Sequence, residues 1–450
     1  MKKTKMIVRF IISNFKSVKD PVEFSFIAGN YKKHKDHLEK LDDFELLKIS
    51  ALYGNNGSGK TNIFLALRYL KEFVIYGGNQ DFLNKIPYFK LDKDYNKKPT
   101  KFEIEFIIND SHYSYSVSVF DGKIIEEWLY KMKGENNYDV IFERNLKKGK
   151  SVIKIGNQKK LSKKEFYRRE IYAEELLDYE LFFTIGYIKT IPEFDEPFTW
   201  FMEKLNIMGL NESLSGLPSL LSKDSKFSDL AQAMICNSDL GIKKIDVLKT
   251  PIEDFFGPSD KVRRNDIINE IEEYGEVDFI ANGEDYSAYK DDEENVIVAK
   301  IITYRLSATK ELVEFHLNEE SAGTRRLFNL IPVIINSIIN NEVYLIDEIE
   351  SSFHPILIKS IIELYLKLSK GKKSQIICST HESNLLDLNL FRQDEIWFAE
   401  KDSDGSTRLT SLSDFKPRFD KDIRKGYLQG QYSEIPFTAN LADLNWNDNA

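Results

Sequence analysis

The sequence predicts an α/β protein with a parallel core flanked by helices, an antiparallel β lobe and a largely helical insertion. Three observations carry this. First, an apolar strand at 47–53 runs into Gly54-Asn55-Asn56-Gly57-Ser58-Gly59-Lys60-Thr61, and Ile63, Leu67, Leu70 and Phe73 then recur at helical spacing. Second, from Lys101 the period drops to two: Phe102, Ile104, Phe106 and Ile108 alternate with largely polar residues. Tyr113, Tyr115, Val117 and Val119 then alternate with serines. Third, helix and apolar strand alternate through 324–339, 343–346, 355–368 and 375–379, which signals strands covered by helices on both faces.

Taken in order, 7–12 and 22–27 read as strands joined through Ser13-Asn14-Phe15-Lys16-Ser17. Gly77-Gly78 closes the helix that follows the glycine-rich loop. Asn109-Asp110 is a turn between the two period-two runs, and 123–132 and 140–144 extend the antiparallel sheet. The segments 162–183, 198–210 and 227–234 read as helices; strands return at 296–306 and 311–317. The expected division is a discontinuous head at 1–80 and 296–450, a β lobe at 81–145, and a mainly helical insertion at 146–295 for partner or oligomer contacts. No sustained heptads occur, so no long coiled-coil arm is expected.

Composition narrows the class. At 450 residues, with 42% hydrophobic and 13% aromatic residues, the chain is a folded globular protein of two or three domains. A net charge of −9 argues against an overall basic nucleic-acid binder. The densest basic stretch, Lys147-Lys148-Gly149-Lys150 with Lys159, Lys160, Lys163 and Lys164, reads as a solvated face. Two cysteines, Cys236 and Cys378, form no disulfide framework, so a cytoplasmic setting is expected. Arg9 interrupts the apolar start and no small-residue cleavage site follows, so residues 7–12 read as a strand with a basic leader. No run reaches the roughly 20 apolar residues needed to span a bilayer. A soluble chain without a membrane partner is expected, with 327–339 as a buried helix.

Three segments carry the chemistry. In Gly54–Thr61 the glycines let backbone amides approach phosphate oxygens at a helix start. Lys60 suits the β- and γ-phosphates of ATP, and the Thr61 hydroxyl suits Mg²⁺. In Val343-Tyr-Leu-Ile-Asp-Glu a buried strand presents two carboxylates at its tip. Asp347 suits the Mg²⁺ shell, and Glu348 suits polarising an attacking water. Ser321-x-Gly323 stands before a helix near Thr324, where a hydroxyl and free amides make an anion site. Other candidates are weaker. His34-x-x-His37 reads as a solvated face and Asp402-x-Asp404-Gly405 as a hairpin turn rather than an acidic metal site. Cys378 reads as core.

The order phosphate loop, Ser-x-Gly helix, Asp-Glu strand and Ser379-Thr380-His381 resembles the ABC-type P-loop NTPase heads of SMC-like proteins. It is more closely similar to the bacterial OLD-like family of AAA ATPases found in anti-phage systems. The matching segments are 14–17, 54–61, 319–327, 344–355 and 376–384, with a tail from Asp394 through Ile435-Pro-Phe. The resemblance covers about half the chain. It implies a homodimer sandwiching ATP, with Ser321 and Gly323 reaching the γ-phosphate bound to the other copy. It also implies that Ser351 and His354 lie in a dimer-contacting loop, that His381 senses the γ-phosphate, and that Lys16 and Ser17 touch the nucleotide. The Leu-Ser-Gly-Gly-Gln form of transporters is absent and no glutamine loop can be placed. The implied function is an ATP-hydrolysing regulatory or sensor subunit of prokaryotic anti-phage defence. It would control a separate effector such as a Toprim-type nuclease, as in PARIS-like systems, with nucleic acid or a phage protein as trigger. The alternative is an SMC-like DNA repair or maintenance ATPase that binds nucleic acid directly.

Overall fold

The computed structural model describes residues 4–134, 137–147, 149–156, 161–209, 216–258 and 260–432. Lys148, Lys159, Lys160, Leu210 and the 435–437 part of the tail resemblance lie outside these. The chain divides into two units. One comprises residues 1–207, 341–350 and 362–450; the other comprises 208–340 and 351–361. The expected boundaries at 80, 145 and 295 do not coincide with these units. The antiparallel strands belong with the nucleotide-loop segment because they share one core with it.

The first unit holds two large sheets and the small pair Leu38–Lys40/Glu45–Leu47. An antiparallel sheet of seven strands runs in the order Lys150–Ile155, Asn137–Lys147, Lys123–Gly134, Ser111–Phe120, Thr100–Ile108, Lys5–Ser13, Val22–Ser25. The second sheet has six strands, ordered Leu205–Met208, Val343–Ile346, Gln375–Thr380, Ile49–Tyr53, Ile396–Lys401, Thr407–Ser411. Its centre is parallel: Gln375–Thr380 and Ile396–Lys401 both pair in parallel with Ile49–Tyr53. All five residues of Ile49–Tyr53 are buried, as a strand covered on both faces must be. Helix Lys60–Tyr76 buries Ile63, Phe64, Leu67, Leu70, Phe73 and Val74 along one stripe. That stripe shares a single core with Phe10 and Phe102 of the antiparallel sheet and with Leu52, Leu345 and Ile377 of the parallel one.

The expected helix at 198–210 is instead a short helix Pro192–Thr199, a π-turn at Trp200–Lys204 and the edge strand Leu205–Met208. Trp200 and Phe201 are buried and pack against Phe106, so tertiary packing overrides the local helical spacing.

The second unit carries helix Ala322–Asn340 and a sheet in the order Ile242–Pro251, Val296–Leu306, Glu284–Lys290, Glu276–Ala281, with Leu312–His316 also on Val296–Leu306. Residues 146–295 therefore contain strands as well as the expected helices. The Glu276–Ala281/Glu284–Lys290 hairpin turns on Asn282-Gly283, whose φ values are 53° and 76°. An Asn-Gly pair between alternating apolar residues marks such a hairpin in sequence. Helix Ala322–Asn340 is buried nearly all round, from Leu327 to Ile338, as expected of a core helix. No helix among the described residues is long and apolar enough to cross a membrane.

Candidate functional site: a phosphate loop facing an acidic strand tip

Strand Ile49–Tyr53 ends at Gly54, and the chain turns back through Ser58 N–H to Asn55 C=O (3.1 Å). Gly59 has φ 106° and caps the next helix; a Cβ there would collide with Thr407 Oγ1 and lie 2.9 Å from Ser17 Oγ. Only glycine fits that close approach. Asn56 and Gly57 form the exposed tip, Thr61 is exposed, and nothing lies near the position of a Cβ on Gly57. Lys60 is 5% exposed and its ammonium donates to Gly54 C=O (2.6 Å) and Asn55 C=O (3.2 Å). Burial lowers its pKa, opposed by the negative charges of Glu348, Glu350 and Asp347 in that order. The loop lysine thus lies within the field of the three carboxylates after strand Val343–Ile346.

Ser17, expected to touch the nucleotide, reaches the loop through a relay that sequence reading missed. The Thr407 hydroxyl donates to Ser58 C=O (2.8 Å), so its one proton is used, and Ser17 Oγ (2.8 Å away) must be the donor between them. Asn62 Nδ2 donates to Ser17 Oγ (2.7 Å), Lys401 Nζ to Thr407 Oγ1 (3.2 Å), and Thr407 N–H to Ser17 C=O (2.7 Å). Thr407 is 3% exposed. No pattern near Gly54–Thr61 could have pointed to a residue nearly 350 positions away. Lys16 is exposed with φ 50°, its N–H bonded to Pro87 C=O. Asn14 holds that loop in shape, with Nδ2 on Tyr95 and Lys98 carbonyls and Oδ1 accepting from Phe89 N–H.

At the acidic strand tip, Ser379 joins two turns. Its hydroxyl donates to Asp347 Oδ1 (2.5 Å) and accepts Glu348 N–H (2.8 Å), while its carbonyl accepts Ile349 N–H. These bonds hold Glu348 at φ 47°, a left-handed conformation that costs a non-glycine residue about 1–3 kcal/mol. Asp347 is 5% exposed, whereas Glu348 is half-buried. Glu350, unassigned from the sequence, accepts His381 N–H (2.7 Å) and lies 2.8 Å from His381 Nδ1 as an ion-pair contact. The loop, Asp347, Glu348 and His381 all belong to the first unit. A buried lysine on backbone carbonyls, exposed glycine amides and two acids at a strand tip form the donor set that a triphosphate with a hard divalent cation requires.

Ser321 and Gly323 stand in the second unit. Ser321 Oγ accepts Thr324 N–H (3.1 Å) and pairs with Thr324 Oγ1 (2.9 Å), an N-cap of helix Ala322–Asn340. A Cβ on Gly323 would come within 2.8 Å of Ser352 C=O, so the Ser-x-Gly segment packs on the Ser351–His354 turn. Glu320 anchors its base, bonded to Thr303 Oγ1 and Arg305.

Three other sequence readings meet different fates. Asp402–Ser406 is the turn of hairpin Ile396–Lys401/Thr407–Ser411, as expected. His37, expected on a solvated face, is 4% exposed, bonded to Glu395 (3.0 Å) and stacked on His34. Its partner is 358 positions away, invisible to local spacing. Cys378 lies fully buried, with burial pushing its thiol pKa up, which suits a core residue.

Search of curated proteins finds no match. Among solved structures, an SMC head bound to the C-winged helix domain of ScpA is 16% identical. The match covers 91% of this chain and 99% of that one, with a TM-score of 0.43. The SMC head domain from Thermotoga maritima is 13% identical, covering 90% and 98%, at 0.37. The Pyrococcus furiosus SMC head with an extended coiled coil, bound to the C-terminal domain of ScpA, is 17% identical, covering 92% and 97%, at 0.40. Residues 49–387, about three quarters of the chain, match the family described as "AAA domain, putative AbiEii toxin, Type IV TA system". The chain belongs to that family of AAA ATPase domains.

Proposed function

We propose that the protein binds and hydrolyses ATP with Mg²⁺, that two copies close face to face on the nucleotide, and that this cycle regulates a separate effector. What supports hydrolysis is one observation: Lys60, Asp347, Glu348 and His381 belong to one unit, with Lys60 buried in the field of the carboxylates. Mg²⁺·ATP, when bound, supplies the phosphoryl group and the charge that balances it. Lys60 would exchange its two carbonyl partners for phosphate oxygens, and Thr61 and Asp347 would hold the cation. Glu348, kept in place by Ser379, would orient and polarise the attacking water. His381 would donate to the γ-phosphate.

The dimer reading rests on Ser321 and Gly323, which would complete the site of the other copy. The family description names a toxin of a type IV toxin–antitoxin system, which favours a role in prokaryotic anti-phage defence. The effector is then a Toprim-type nuclease or a protein of similar role, released or restrained by the nucleotide state, with nucleic acid or a phage protein as trigger. Turnover of Mg²⁺·ATP by the full chain tests the core of this reading. Lys60→Ala is expected to lower it by more than about 100-fold, since the lysine neutralises the transferred group. A Lys60→Ala protein with full turnover would remove the loop from the reaction.

A further inference from the structure

We infer that Glu350 is the positioning residue of His381 and that it ties the imidazole to the Asp347-Glu348 turn. This rests on the reading of His381 as the γ-phosphate donor. Glu350 is 7% exposed; its Oε1 accepts the backbone N–H of His381 at 2.7 Å and stands 2.8 Å from the ring Nδ1 as an ion-pair contact. One carboxylate oxygen therefore lies against both the main chain and the ring of His381. The imidazole is half exposed, with its side chain at 50%. Glu350 Oε2 is buried and has no hydrogen-bond partner among the described residues.

Chemistry then selects the tautomer. A desolvated carboxylate with so few partners repels a bare ring nitrogen and holds an N–H, so Nδ1 carries a proton. Nε2 is left to the open side, and it can donate to a phosphate oxygen only when the ring carries its second proton as well. Carboxylate–imidazole pairs set ring orientation in this way wherever one nitrogen must be kept for a substrate or metal. The pairing also has a mirror image. Ser379, two residues before His381, bonds Asp347 and Glu348; Glu350, two residues after Glu348, bonds His381. The two turns are cross-linked twice, so the histidine turn cannot shift without moving the acidic one. Glu350 acts through His381 and need not touch the nucleotide.

A double-mutant cycle on the full chain tests this, with steady-state turnover of Mg²⁺·ATP and thermal melting measured for Glu350→Gln, His381→Ala and the double variant. Glu350→Gln is expected to lower kcat about 10- to 100-fold with KM within about twofold, the usual loss when an orienting partner is removed. The double variant should fall no further than His381→Ala alone. Losses that multiply would overturn the assignment, because Glu350 would then act independently of the histidine. Wild-type turnover by Glu350→Gln beside an impaired His381→Ala would overturn it while leaving His381 in its role. Wild-type turnover by His381→Ala would remove the γ-phosphate role and this inference with it. Where Glu350→Gln melts far below the wild type, nitrogen shifts of labelled histidine in the unsubstituted protein decide instead. A ring that carries protons on both nitrogens with Mg²⁺·ATP bound supports the assignment, and an Nε2–H ring with bare Nδ1 overturns it.

Discussion

The phosphate loop and the Ser321–Gly323 segment both stand at helix starts, yet they are built differently. The loop is braced from outside. Thr407 spends its only proton on Ser58 C=O, and Ser17, itself held by Asn62, backs Thr407. In the Ser-x-Gly segment the hydroxyl is bonded only three residues ahead, to Thr324, while the neighbouring Glu320 is held by Thr303 and Arg305. The first is ready for a ligand inside its own unit. The second offers exposed Ser321 and a local cap, which is what a surface meant to be completed by another molecule would present. A surface ion pair nearby, Lys19 on Asp404 at 2.9 Å, is screened by solvent and adds little. The buried hydroxyl relay, not the surface ion pair, is what holds the loop.

The sharpest test of the braced side is Glu348→Gln. Turnover should drop by about 100- to 1,000-fold, the scale of a lost general base, while ATP is retained and a dimer or larger assembly accumulates in size-exclusion chromatography. Normal hydrolysis would take Glu348 out of its assigned role. Ser321→Arg addresses the other side. ATP binding, read by fluorescent-nucleotide titration, should be unchanged and turnover lost. Mixing it with Lys60→Ala should restore about a quarter of wild-type turnover, because half of the pairs in a symmetric dimer regain one intact site. No recovery, or a Ser321→Arg protein that turns over normally, would show that each copy works alone. The smallest effect is expected from Thr407→Val. It strips the donor from Ser58 C=O and the acceptor from Ser17, costing about 1–3 kcal/mol of stability and weakening nucleotide binding several-fold. Chemical denaturation checks the first and titration the second; equal values for variant and wild type would mean the relay is dispensable.

The comparison also shows where a sequence can be read. Gly54–Thr61 and Asp347-Glu348 were legible because their chemistry lies in consecutive residues at a strand end, a local geometry that backbone preferences dictate. The hairpin at Asn282-Gly283 was equally local and carried its own signal, yet a helical reading of 146–295 passed over it. Glu350 was less legible. It stands two residues from a recognised acid, but its meaning depends on His381, 31 positions on.

Sequence by itself determined the order of strands and helices around the loop, the acids at the strand tip and the buried character of helix Ala322–Asn340. Local steric preference and apolar periodicity suffice for those. Only the tertiary structure decided that Thr407 closes the loop, that His37 lies against Glu395 rather than in water, and that Glu350 takes the ring of His381. Those pairings join residues far apart along the chain. Their partners are chosen by which strands lie side by side in the parallel sheet, a choice made by burial of the whole core and not by any stretch of residues within it.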